Sequence, residues 1–157
     1  MDTVDKNTRS RIMSSVAQKN TGPEVKLRKA LHRIGLRYRL HDKRLPGSPD
    51  IVFPRFKGVL FVHGCFWHRH GCKATTTPKD NNEYWEKKFA ENVERDKRFV
   101  EALRQAGWRV AIVWECDLKG KKLNPEKIAK IVKRWLHSDI SFIDDIGAST
   151  LFLSDQD

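Results

Sequence analysis

The chain reads as a mixed α/β domain, a β-sheet of mixed direction flanked by helices. Two apolar runs carry that reading, Val59-Leu60-Phe61-Val62 and the stretch 108–114, each the length of a buried strand. Between them, residues 83–106 repeat apolar positions at helical spacing, with Trp85, Phe89, Val93, Val100 and Leu103 on one stripe. A strand, a crossover helix and a second strand form the unit that builds a sheet with helices packed on it.

The other elements follow in order. Residues 1–20 are polar and basic, with Ile12, Met13 and Val16 at short helical spacing, and are expected to form an arm. Thr21-Gly22-Pro23-Glu24 opens a helix, with Pro in the first turn and Glu near the positive end of the dipole. Val25, Leu27, Leu31 and Ile34 give that helix an apolar face, and Gly35 ends it. Residues 36–41 alternate Leu36, Tyr38 and Leu40 with Arg37, Arg39 and His41, the pattern of a half-buried strand. The turn cluster Leu45-Pro46-Gly47-Ser48-Pro49 delivers Asp50 to a short strand over 50–53. Asn81 or Asn82 is placed to cap the long helix and Gly107 to stop it. A last helix over 123–136 turns Ile128, Ile131, Val132 and Trp135 inward. The expected order is helix, three strands, helix, strand, helix, in one domain over 1–138 with an acidic tail over 139–157.

Net charge is +11 and uneven. The tail holds Asp139, Asp144, Asp145, Asp155 and Asp157 and no Lys or Arg. The other 15 of the 20 acidic residues therefore face all 31 basic ones, a balance of +16 for residues 1–138. A body this basic attracts polyanions, because neutralised phosphates release their counterions; a solubilising surface is the plainer alternative. Ile140, Phe142, Ile143 and Ile146 leave two readings of the tail, docked on the body or free as an acidic mimic of DNA. No apolar run approaches the roughly 20 residues of a membrane-spanning helix, and Asp2 and Asp5 disfavour a signal peptide, so a cytoplasmic protein is expected. Three cysteines, an odd number in a reducing compartment, favour metal ligands or free thiols over disulfides.

Val62-His63-Gly64-Cys65-Phe66-Trp67-His68-Arg69-His70-Gly71-Cys72 follows the first apolar strand with two cysteines, three histidines and two large aromatics. Cys65, His70 and Cys72 offer three soft ligands. Cys116, at the end of the later strand, adds a fourth if the two strands are neighbours. Four such donors form the closed tetrahedral set of a structural Zn²⁺. In this spacing His68 or His63 can replace one of them, and buried thiols without metal are the alternative. A second centre is available where Asp50 and His63 lie on neighbouring strand ends. Asp50 is a hard oxygen donor suited to Mg²⁺, and His63 and His68 can move a proton near neutral pH. Glu24 could hold a water at that metal; taken alone it complements the helix dipole, and Asp50 alone is a turn aspartate. Phe66 and Trp67 either project as an apolar wedge or fill the core beside the metal.

The helix, strand and Pro49-Asp50 arrangement resembles the PD-(D/E)xK restriction-endonuclease-like nucleases. The next strand, however, reads Val59-Leu60-Phe61-Val62-His63 and lacks their acid-x-lysine. That departure fits one branch. Five ordered blocks identify it: Thr8-Arg9-Ser10, Leu45-Pro46-Gly47-Ser48-Pro49-Asp50, His63-Gly64-Cys65-Phe66-Trp67-His68, Asn92-Val93-Glu94-Arg95-Asp96, and Gly107-Trp108-Arg109-Val110 through Val113-Trp114-Glu115-Cys116. With them the chain, from about residue 5 to 136, resembles the very-short-patch repair (Vsr) endonucleases.

The resemblance implies a restriction-endonuclease-like fold and a nickase that starts very short patch repair. It would cut DNA 5′ to the T of a T·G mismatch left by deamination of 5-methylcytosine. It implies Asp50 as the Mg²⁺ carboxylate, His68 as base for the attacking water, His63 as a partner on the phosphate side, and Glu24 as holder of a metal-bound water. It also implies Cys65, His70, Cys72 and Cys116 as the Zn²⁺ ligands. Val62 stands where the family often has Thr, a change to which a main-chain carbonyl ligand for Mg²⁺ is indifferent. Phe66, Trp67 and Met13 match residues that enter the base stack beside the mismatch. Lys88 and Asn92 match residues that read the mismatched bases, though otherwise they resemble a solvated helix face. The implied partners are mismatched double-stranded DNA, mismatch-repair proteins and a repair polymerase, met by a monomer at the bacterial nucleoid. Two rivals remain: a restriction-type nuclease cutting both strands of matched DNA, and a non-catalytic zinc-stapled DNA-binding module.

Overall fold

The chain is described by a computed structural model over residues 22–119 and 123–149, so Met13 and the basic arm lie outside the described residues. The first helix, α1, runs Gly22–Arg33 and ends where Gly35 adopts φ +95. There the Leu36 amide reaches back to the Leu31 carbonyl and the Gly35 amide to His32, which satisfies the last turn and turns the chain toward the sheet. The sheet has five strands in the order of the chain: β1 (Arg39–Leu40), β2 (Ile51–Phe53), β3 (Gly58–His63), β4 (Arg109–Trp114) and β5 (Phe142–Ile143). The pairs β1–β2 and β2–β3 are antiparallel, while β3–β4 and β4–β5 are parallel. The mixed sheet expected from the apolar runs is present.

The continuous apolar character of β3 and β4 follows from their having a core on each face. Leu60, Ala111 and Val113 point to one side, where α1 and α5 (Pro125–Leu136) cover them with Leu27, Leu31, Ile128, Ile131, Val132 and Trp135. Val59, Phe61, Val110, Ile112 and Trp114 point to the other, where Leu103 of α3 (Asn82–Gln105) packs. Alternation along each strand thus divides two hydrophobic layers, and the helices seal both. No helix among the described residues is long and apolar enough to cross a membrane.

Several local expectations are revised. Residues 36–41 shrink to the two-residue edge strand β1. Leu40 stands 39 % exposed rather than inward, while the Tyr38 hydroxyl leaves the ladder to donate to the Arg28 carbonyl at 2.6 Å. Asn81 sits at the start of α3 with φ +57 and no side-chain cap, so its amide does not do the expected work. Gly107 does stop α3, at φ +87, with the Trp108 amide bonded to the Leu103 carbonyl. The cysteine-histidine loop contains a short helix, α2 (Cys65–His68), and β4 runs straight into α4 (Glu115–Lys119).

Of the acidic segment, residues 139–149 are described, and they dock on the body. Phe142–Ile143 add β5 to the edge of β4, Ile146 is fully buried, and a 3₁₀ turn follows over Ile146–Ala148. Arg109 fastens this return. Its guanidinium donates to the Leu136 carbonyl at 2.7 Å, Ser138 at 2.9 Å, Trp135 at 3.0 Å and Ile140 at 3.4 Å, capping α5 and holding the chain that leads to β5. Arg109→Ala leaves several carbonyls without their charged donor and is expected to cost about 3 kcal/mol in urea denaturation. A loss below about 1 kcal/mol would show that water replaces the guanidinium there.

Candidate functional site

Strand direction collects the candidate residues at one edge. In the parallel β3–β4 pair, His63 lies opposite Trp114, so Cys65 and Cys116 fall side by side in the first turns of the helices that follow. In the antiparallel β2–β3 pair, Ile51 lies opposite Leu60, so Asp50, just before β2, meets the end of β3. Three groups of polar side chains result.

The first is the sulfur cluster. Cys65, His70, Cys72 and Cys116 bring one donor atom each within 4.8 Å of the others, an arrangement that could hold a metal ion. His70 Nδ1 lies 3.4 Å from Cys116 Sγ and 3.7 Å from Cys65 Sγ. Burial raises the Cys65 and Cys116 thiols. Burial also raises Cys72, but hydrogen bonds from His70, the Ala74 amide and Thr75 outweigh it and draw the thiol down to about 6. Crowded thiolates repel one another, and a bound cation relieves that repulsion. His63 and His68 are not in this group.

Those two histidines form the second group, with Asp96 of α3. Their rings stack at 3.8 Å between centroids and 6° between planes. His68 Nδ1 contacts Asp96 Oδ2 at 2.5 Å, which assigns the proton to Nδ1 and leaves Nε2 as the basic nitrogen. His63 is only 6 % exposed, wedged against Phe61 and Trp114, and its Nδ1 has no hydrogen-bond partner among the described residues. Burial, and then the neighbouring His68, hold it well below the usual imidazole value, so it is neutral.

The third group is Glu24, His41 and Asp50. Asp50 Oδ2 accepts the Val62 amide at 2.7 Å, which ties this group to the strand that carries His63. Glu24 is only 2 % exposed, turned into the protein from the first turn of α1, and Oε2 meets Arg28 at 2.9 Å and His41 Nε2 at 3.2 Å. That placement exceeds what complementing a helix dipole requires. His41 Nδ1 lies 3.7 Å from Asp50 Oδ1, and His41 holds φ +47, a strained backbone for a residue other than glycine. Asp50 is pushed up to about 7, first by burial and further by the charge of Glu24, against the opposing Val62 hydrogen bond.

Phe66 and Trp67 are half-buried, and their surroundings are aromatic. Phe66 packs edge-on to Trp67 at 5.1 Å and to Phe89 at 5.1 Å, and Trp67 lies 6.1 Å from Trp85. Arg69 lies 4.0 Å over the Phe89 ring and donates to the Phe66 and Thr76 carbonyls, bracing the turn after α2. Asn92 departs from the solvated face expected of it. It is 8 % exposed, donates to the Trp67 carbonyl at 3.4 Å and accepts from Arg95 at 3.1 Å. Lys88, one turn earlier, is half-buried.

Comparison with known proteins identifies the family. The family model of DNA mismatch endonuclease Vsr matches residues 1–74. The Type II nicking enzyme V.XorIIP of Xanthomonas oryzae is 52% identical over 117 residues, covering 74% of this chain and 86% of its own. The DNA mismatch endonuclease Vsr of Escherichia coli is 43% identical over 136 residues, 86% of this chain and 87% of its own. The chain belongs to the DNA mismatch endonuclease Vsr family. A further Vsr-type relative, the Type II nicking enzyme V.NmeAIP of Neisseria meningitidis, is 43% identical over 125 residues, 80% of this chain and 89% of its own. The geometry also brings forward two groups that the sequence did not single out. Asp96 stood in the block 92–96 without a role, and His41 was read as the outer side of a strand.

The upward shift of Asp50 has two consequences. In the metal-free protein, protonation favours the fold; that stability is present below the ordinary carboxylate value near 3.8 and lost as pH rises through 7. A divalent cation at Asp50 must displace the same proton. Half-saturation with Mn²⁺, followed by electron spin resonance, should need about tenfold more metal for each pH unit below 7 and level off above it. A flat dependence between pH 6 and 8 would contradict metal binding in competition with a proton on a raised Asp50.

Proposed function

We propose that this Vsr-type endonuclease is a strand-specific DNA nickase. It would act 5′ to the T of a T·G mismatch and open the repair of deaminated 5-methylcytosine. The observation that carries the reading is the oriented base beside the carboxylate group: His68, fixed through Nδ1 by Asp96, next to the strand end that receives Asp50. Asp50, with the main-chain carbonyl of Val62, is the natural holder of Mg²⁺, since a carboxylate raised first by burial and further by the charge of Glu24 is stabilised by a hard cation. When bound, Mg²⁺ polarises the scissile phosphate and steadies the leaving oxygen.

This chain's own groups then divide the work. His68 Nε2 takes the proton of the attacking water, and Asp96 balances the imidazolium that results. His63, neutral by burial, lies flat on His68 and adds no competing charge on the phosphate side. Glu24 would hold a water bound to that metal. The fold implied is the restriction-endonuclease-like one, with a mixed sheet presenting the site at a strand edge.

Zn²⁺ suits the sulfur cluster. Bonds of about 2.3 Å to sulfur and about 2.0 Å to nitrogen put neighbouring tetrahedral donors about 3.5 Å apart, and the His70 contacts of 3.4 and 3.7 Å bracket that value. Three cysteines and a histidine leave no open position, so this metal is structural and fastens α2.

Phe66 and Trp67 serve as the wedge, with Met13 of the arm. An aromatic cluster behind them keeps the pair rigid, and a wobble pair costs less to unstack than a matched one. Lys88 and Asn92 face the mismatch from the long helix, with Asn92 also holding the Trp67 backbone. The protein is proposed to work as a cytoplasmic monomer at the nucleoid, handing the nick to mismatch-repair proteins and a repair polymerase.

Asp50→Asn and His68→Ala test the assignment on a duplex bearing one T·G pair. His68→Ala should slow nicking by about 10²- to 10⁴-fold, and both variants should hold the duplex in gel shift as tightly as the wild type. Undiminished nicking by His68→Ala would remove it as the base. Loss of binding together with nicking would make these residues structural.

A further inference from the structure

We propose that Asp145, supplied by the C-terminal segment, is the outer partner of the metal-site histidine and controls how firmly zinc is held. The inference rests on the zinc reading above. The two nitrogens of His70 face different neighbours. Nδ1 faces the sulfurs of Cys116 and Cys65, while Nε2 lies 2.7 Å from Asp145 Oδ2. Nδ1 is therefore the ligating nitrogen and Nε2–H the donor. A carboxylate in that position fixes the ring's tautomer and rotation and makes the other nitrogen a stronger donor to a metal.

Asp145 is itself held. Its Oδ1 accepts the Ala148 amide at 3.2 Å, making it the N-cap of the 3₁₀ turn whose Ile146 is fully buried. The adjoining residue, Asp144, receives the Trp114 indole N–H on its carbonyl at 2.8 Å, and that indole stacks on His70 at 4.4 Å and 13°. Gly147 leaves room for the Asp117 carboxyl, which a Cβ would strike. The imidazole is thus gripped on its face by β4 and at its edge by a segment 75 residues further along. Zinc binding and docking of residues 142–148 are two halves of one equilibrium, so each should strengthen the other equally.

Asp145→Ser separates this role from capping, because serine caps a turn as well as aspartate but is too short to reach His70. Zinc release to a chromophoric chelator should be about 10- to 100-fold faster in Asp145→Ser. In Asp145→Asn, whose amide oxygen still accepts Nε2–H, it should lie between. Stripping zinc from the wild type should also speed amide exchange at Phe142 and Ile143. Ring nitrogen spectra of the zinc-loaded wild type should show Nδ1 bound to metal. Release from folded Asp145→Ser at the wild-type rate, or Nε2 as the bound nitrogen, would overturn the proposal. Wild-type protein purified with far less than one zinc per chain would instead overturn the zinc reading beneath it.

Discussion

The parallel pairing of β3 with β4 is the constraint on which the rest depends. It sets His63 opposite Trp114, and the residues just past each strand end supply Cys65 and Cys116. A shift of one residue along this pair would turn every side chain of β4 to the other face, emptying both cores together. The register is held by burial on both sides, with Leu60, Ala111 and Val113 against α1 and α5 and Val59, Phe61 and Ile112 on the face that α3 covers. The antiparallel return of β2 then brings Asp50 to the same edge. Sulfur cluster, histidine pair and carboxylates are neighbours because three strand termini meet there.

That arrangement concentrates groups that a fold alone would avoid. Glu24 and His63 are almost wholly buried, Asp50 is nearly so, and His41 carries a strained backbone. Burying carboxylates close together opposes folding unless they are protonated or joined by a cation. The protein meets this cost with a sheet sealed on both faces and with local braces such as Arg28 on Glu24 and the Val62 amide on Asp50. The His68–Asp96 contact reaches from α2 to the long helix, so the candidate base is positioned by two elements rather than by a loop alone.

Much of this was legible in the sequence because it rests on periodicity and on residue type. The apolar runs predicted β3 and β4, Gly35 and Gly107 marked helix ends, and the density of cysteine and histidine pointed to a cluster that could hold metal. What escaped was long-range. Nothing local says that Asp96 will meet His68, since an aspartate on a polar helix face is commonplace. His41 alternated with apolar neighbours and so looked solvent-facing, whereas the edge strand ends before it and the backbone turns it inward. β5 was too short to register as a strand, and its pairing depends on Arg109 gathering the carbonyls that precede it. Asn92 looked solvated because its burial comes from the packing of α2, a helix the loop-like spacing of residues 65–68 concealed.

The most direct measurement is cleavage of a duplex labelled separately on each strand, carrying one T·G mismatch across a panel of flanking sequences. Matched T·A and C·G duplexes run beside it, in Mg²⁺ and in EDTA. A magnesium-dependent nick on the T-bearing strand alone, 5′ to that T and absent from both matched duplexes, is the expected result. Cutting of both strands, or equal cutting of matched DNA, would contradict the mismatch-nickase reading.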